Sequence, residues 1–207
     1  MAPIKLILFF IFFQFGIVFS QTIELPGIKV FYQEKKIEIQ GIVNQQCDFI
    51  ELLATTPGGK EHESLLVLYC NPAIFHSALL MIGLQPGQAG KYQGDTFLPT
   101  GDSVYLYVRY NQVQHNVEKW VWDKKHQTEM KQTPWIFTGS RFIQLDNGKH
   151  CFAANLQGVL IATFHDPYAI LNNPLPERID DTIYCVNSTT TPPKGIPITL
   201  IITTRKQ

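Results

Sequence analysis

Only one stretch of this 207-residue chain has the period of a helix; nearly every other apolar run has the length and alternation of a strand. The helical stretch is NPAIFHSALLMIGL, residues 71–84. Asn71 suits an N-cap, Pro72 the first helical position and Gly83 the C-terminal stop. Ile74, Ala78, Leu79 and Ile82 then share one face. Elsewhere the period is two. Ile28, Val30 and Tyr32 alternate with Lys29, Phe31 and Gln33, Glu34-Lys35 makes a turn, and Ile37 and Ile39 return on the second arm of a hairpin. Residues 49–54, 64–70, 104–110, 118–123 and 197–204 read as further strands. CFAAN and GVLIATF read as a strand pair turning at Gln157 and Gly158. Trp120 and Trp122 fall on one face if 118–123 is extended. Residues 84–102 hold four glycines and two prolines and read as a long loop, a lid or a crossover. Strands dominate and one helix is inserted early. The pattern therefore predicts an α+β fold, a mostly antiparallel β-sheet with one principal helix near residues 72–83.

The amino terminus bounds where this sheet forms. MAPIKLILFFIFFQFGIVFS carries a single charge, Lys5, and residues 6–19 are nearly all apolar. Val18 and Ser20 stand at −3 and −1 before Gln21, as a small-residue cleavage site requires. The apolar run is shorter than the roughly 20 residues that span a bilayer. Residues 1–20 are thus expected to be a secretory signal peptide removed near Ser20-Gln21, with 21–207 a single domain and no stable membrane span after cleavage. Loss of Lys5 leaves 16 basic against 17 acidic residues. Such a balance provides no field to collect nucleic acid.

Cys47, Cys70, Cys151 and Cys185 all lie beyond the leader. An even number in an exported chain makes them disulfide candidates, with Cys47–Cys70 and Cys151–Cys185 favoured as sequence neighbours and buried free thiols the alternative. No two are spaced C-x-x-C, so an iron–sulfur cluster or a Cys-rich zinc site has no support.

The polar residues with chemistry are scattered. Glu61-His62-Glu63 precedes the apolar run at 64–70. On an extended backbone His62 points away from both glutamates, so a metal site needs donors from elsewhere. His76 on the helix and His165-Asp166 on a late loop are the donors on offer. His62, Glu63, His76, His165 and Asp166 together would suit zinc or iron. No H-E-x-x-H pairs two ligands on one helix, and the plainer reading makes Glu63 a buried anchor. Asp166-Pro167 also reads as a turn starter. Ser140, after Thr138-Gly139, lacks the G-x-S-x-G elbow and a base nearby in sequence, and reads as a local cap. Asn187-Ser188-Thr189 is a glycosylation sequon.

Three segments, IEIQGIV…DFIELLATTPGGKEHESLLVLYCNPAIFHSALLMIGLQPG, then WIFTGS at 135–140 and FAA…GVLIA within 152–162, occur in an order and spacing that resembles the YdjY-like family of exported bacterial proteins. The resemblance covers most of residues 27–203. It implies export in a bacterial setting, to the periplasm or cell exterior, and no mechanism. The residues themselves fit a non-enzymatic binding or scaffolding domain. The alternative is a metal-dependent enzyme or metal carrier built on His62, Glu63, His76 and His165.

Overall fold

The computed structural model describes residues 22–45 and 48–207. The expected signal peptide and Cys47 lie outside the described residues. Eight strands carry the architecture: β1 (Lys36–Val43), β2 (Leu52–Thr55), β3 (Ser64–Leu68), β4 (Ser103–Tyr110), β5 (Trp135–Phe137), β6 (Val159–Ala162), β7 (Leu171–Asn172) and β8 (Pro197–Thr203). They pair in the order β1-β8-β4-β5-β7-β6-β2-β3, and β3 pairs back onto β1, which closes a barrel. The expected α+β class is therefore corrected to a mostly β, closed eight-stranded barrel. The sheet is also less uniformly antiparallel than expected, because β6–β7 and β2–β3 pair in parallel.

Closure depends on one strand with a divided edge. Along one side of β1, Lys36–Ile39 pair with the outer strand Ile28–Phe31, and Gly41–Val43 pair with β3. Gly41 stands at the change of partner. A Cβ there would lie 2.4 Å from the Val67 carbonyl oxygen and 2.7 Å from Leu68 Cδ2, so only glycine lets the two strands meet. The far edge of β1 runs unbroken along β8, from Thr203 opposite Lys36 to Pro197 opposite Ile42.

The sequence periodicity locates the hairpin well: Ile28–Phe31 turns through Tyr32–Lys35 into β1, with Lys35 at φ 49°. Inward-facing Val30, Ile37, Ile39, Leu106, Val108, Leu200 and Ile202 join one apolar core that removes most of their surface from water. Trp135 and Phe137 of β5 are fully buried in it, as expected for the aromatic middle of the chain.

Helix α1 (Pro72–Met81) forms where its signals lie. Asn71 Oδ1 accepts from the Ala73 and Ile74 amides, at 2.9 and 3.4 Å, and Gly83 leaves the helix at φ 89°. The helix buries Phe75, Ala78 and Leu79 against the barrel, with Ile74 only partly covered. A second short helix, α2 (Ala153–Gln157), stands where a strand was expected, stopped by Gly158 in the left-handed conformation. Its Asn155 Oδ1 accepts from the same Ala73 amide at 2.9 Å, tying α2 to the start of α1. Val117–Trp120 is a 3₁₀ turn, so Trp120 is buried and Trp122 half-buried rather than sharing a strand face. Among the described residues no helix is long and apolar enough to cross a membrane.

Candidate functional site

Strand β5 ends in Thr138-Gly139-Ser140, and the chain there turns through two consecutive left-handed residues, Gly139 at φ 85° and Ser140 at φ 61°. Left-handed backbone is costly for a residue with a side chain and persists only when its surroundings enforce it. Here they do. The Thr138 and Gly139 amides both donate to the Ile170 carbonyl at 3.1 Å. Asn172 Nδ2 donates to Thr138 Oγ1 at 2.9 Å, and Ser140 Oγ accepts from the Ala154 amide at 3.2 Å. A Cβ on Gly139 would lie 2.6 Å from Pro86 Cβ and 3.3 Å from His76 Nε2.

This corner floors a cleft of about 500 Å³ between α1 and the hairpin Phe142–Gln144/His150–Phe152. Its walls include Ala73, His76, Pro86, Phe142 and Phe152, with Ser77 and Arg141 at the polar margin. Phe142 is 72% exposed, with its ring 5.6 Å from that of Phe152 across the hairpin. The His76 ring packs 5.2 Å from Phe137 and 5.5 Å from Phe152, and burial lowers its pKa, which keeps it neutral. Apolar walls with a few convergent polar groups are the usual make-up of a small-molecule site. No hydrogen bond links Ser140 to His76 among the described residues, so the pair is not arranged as a nucleophile and its base.

Residues 84–102 do not form a free lid. His165, fully buried, accepts the Gly90 amide on Nε2 at 2.8 Å. Its proton must then sit on Nδ1, which has no partner among the described residues. Burial and the neighbouring Arg178 push its pKa down to about 4. Arg141 donates to the Gly90 carbonyl at 2.5 Å and to the Pro167 carbonyl at 3.4 Å. Arg178 donates to the carbonyls of Thr96 and Phe97 at 2.7 and 3.1 Å. Asp102 closes the base of the loop by accepting the Gln85 amide at 2.8 Å.

The metal set suggested by the sequence is not assembled. His62 stands in solvent, with Nε2 3.4 Å from Glu63 Oε2. Glu63 reaches Lys60 at 3.0 Å, and the same ammonium lies 3.9 Å from Asp166 Oδ2. A cation already occupies the space between those two carboxylates. His165 is committed to Gly90, and His76 lies in the cleft against aromatic rings. Among the described residues no three His, Cys, Asp or Glu side chains converge as metal ligands. The plainer readings of Glu63 as an anchor and Asp166 as a turn starter fit better, since Asp166 Oδ1 accepts the Tyr168 amide at 2.7 Å.

Among the described residues no disulfide forms, so Cys151 and Cys185 are not paired, while Cys47, the expected partner of Cys70, lies outside them. Cys151 lies in the hairpin opposite Ile143, whereas Cys185 lies opposite Trp122 in a separate small sheet. Burial pushes the Cys70 thiol up to about 12 and raises Cys185 as well, which makes both poor nucleophiles. Asn187 of the sequon is buried, with Nδ2 donating to the Lys119 carbonyl at 2.9 Å and Oδ1 accepting from Thr189 Oγ1 at 2.7 Å. Its amide is not available to a glycosylating enzyme in the folded protein.

Sequence reasoning missed Pro86, Arg141 and Arg178 as site-forming residues. Each acts on backbone far away in the chain, and a lone arginine beside a glycine turn carries no local signal. A larger groove of about 790 Å³ lies by Lys125, Glu177 and Asp181, and in it Lys125 and Glu177 pair with each other at 3.1 Å.

A family model, the YdjY domain, matches residues 28–203, which includes every barrel strand and both helices. No curated protein and no solved structure matches the chain.

Proposed function

The chain belongs to the YdjY domain family, and from that premise we propose that it is an exported, non-enzymatic binding domain whose ligand enters the cleft beneath α1. The observation that carries this reading is the left-handed Gly139-Ser140 corner. Gly139 takes its left-handed φ freely and Ser140 at a cost, both are held in place by Ile170, Asn172 and Ala154, and what they produce is an open floor between aromatic walls. The cleft suits a small group with an apolar or aromatic body and one hydrogen-bonding end. Phe142 and Phe152 would cover the body, and His76 or Ser77 would meet the polar end. The commitment of Ser140 Oγ to α2 favours binding over acyl transfer. The leader-like residues 1–20 favour delivery of this domain across a membrane.

A fragment screen by fluorine NMR tests the cleft. Small aromatic fragments are expected to bind the wild-type protein, and Gly139→Ala, whose new methyl would point at Pro86 and His76, is expected to abolish binding. Phe142→Ala should weaken it while leaving the fold intact. Equal binding to all three proteins would sink the proposal. Export is tested separately, by mass spectrometry of protein recovered from the periplasm or medium; the expected amino terminus is Gln21.

A further inference from the structure

Resting on the reading of the cleft beneath α1 as a ligand site, we propose that the ligand is an aromatic monocarboxylate whose carboxylate is held by Arg141. Among the described residues no Asp or Glu lines the cleft, and Arg141 is its one charged side chain. The polar groups His76, Ser77, Thr138 and Ser140 on its walls are uncharged, His76 because burial disfavours its protonated form. A cleft with one cation and no anion repels a cationic ligand and has a place for a single negative charge.

The Arg141 guanidinium is positioned by neutral groups and keeps donors in hand. Nε donates to the Pro167 carbonyl at 3.4 Å and Nη2 to the Gly90 carbonyl at 2.5 Å, while Cζ stands 5.5 Å from the centre of the Tyr168 ring. These contacts fix the plane of the group and use two of its five N–H donors. The other three have no protein acceptor among the described residues, and Arg141 makes no ion pair there. Asp166, the carboxylate whose charge couples to it, serves the Tyr168 amide and lies 3.9 Å from Lys60 Nζ. A half-buried arginine pinned by carbonyls, without a counter-ion, is ready to take a carboxylate through its planar fork.

The rest of the cleft fits the same ligand. The Ser140 and Arg141 amides follow the left-handed Gly139 and donate to no acceptor among the described residues, so the corner can add backbone dipoles to the hold on an anion. The Phe142 and Phe152 rings are 5.6 Å apart, and the His76 ring is 5.5 Å from Phe152, a wall against which a flat apolar body packs. A phosphate monoester carries close to two negative charges, for which one arginine is too little. A carboxylate carries one.

The test compares para-fluorophenylacetate with its primary amide, both titrated into the protein at pH 7 and followed by fluorine NMR. The acid is expected to bind about tenfold tighter than the amide, and added salt should weaken the acid alone. Arg141→Gln should bring the acid down to the affinity of the amide while leaving the amide unchanged, and Phe142→Ala should weaken both alike. Equal affinities for the acid and the amide in the wild-type protein would overturn the carboxylate and leave the cleft standing as a site for neutral aromatic groups. A preference for the acid that survives in Arg141→Gln would overturn the role of Arg141. Binding of neither compound would remove this proposal and the cleft reading together. If Arg141→Gln binds neither because its loop contacts are lost, the wild-type salt series decides: an acid affinity indifferent to salt overturns the proposal, and one that falls with salt supports it.

Discussion

The barrel wall and the loop-covered end of the molecule are held together by different physics. In the wall, β1, β8 and β4 form long antiparallel ladders, and their inward side chains are aliphatic and fully buried. At the other end, residues 84–102, 163–168 and 173–178 are held largely by polar side chains that reach backbone groups: His165 to Gly90, Arg178 to Thr96 and Phe97, Asn173 to Thr163. The first kind of cohesion is non-directional and tolerates repacking. The second fixes positions of individual atoms and depends on protonation. The cleft beneath α1 borders the second end through Pro86 and Gly87, where a few directed bonds can hold it open.

The contrast makes graded predictions. The largest effect belongs to the wall. Leu200→Ala, in the strand shared by β1 and β4, should cost about 2–5 kcal/mol, read as a lower urea midpoint with an unchanged slope. If Leu200→Ala proves nearly neutral, the wall is not the apolar frame described here.

The next effect is a pH dependence confined to the polar end. His165 has a folded pKa of about 4 against an ordinary value near 6.5, because burial and then Arg178 disfavour its charged form. Between those values the unfolded chain binds the proton and the folded one does not. Stability is therefore fully present above pH 6.5 and declines as pH falls towards about 4, by up to about 3 kcal/mol. Protonation also ends the bond from the Gly90 amide, since Nε2 can no longer accept. Hydrogen exchange at Gly90 and Gly94 should accelerate over this window before exchange in β8 does. A uniform response across both regions would contradict the division. A smaller effect is expected for Arg178→Met, about 1 kcal/mol, because it removes three carbonyl contacts together with a buried charge. Its clearer signature is faster proteolysis within residues 91–98, with the barrel core unchanged.

How much was readable from the chain follows the same line. The hairpin into β1, the capped helix at Asn71-Pro72 and the strand character of β3, β4 and β8 were legible, since each depends on neighbours within a few residues. The fold class was not. Closure requires Gly41–Val43 to pair with Leu66–Leu68 while β8 returns from the far end of the chain, and no local period reports a ring. The candidate site was less legible still. His76, Ser140, His165 and Asp166 could be picked out as residue types, but whether they converge depends on backbone groups such as Gly90 and Ile170 that carry no distinguishing side chain.

The amino-acid sequence alone determined a strand-rich body, one helix near residues 72–83, a leader-like amino terminus and a resemblance to one family. These are properties of short windows: period, capping and turn chemistry, and apolar run length. Tertiary structure alone decided that the sheet closes, that a lysine rather than a metal fills the space between Glu63 and Asp166, and that Gly139-Ser140 opens a cleft. Each of those outcomes depends on distances between groups far apart in the chain, which are set only when the hydrophobic core brings their backbones together.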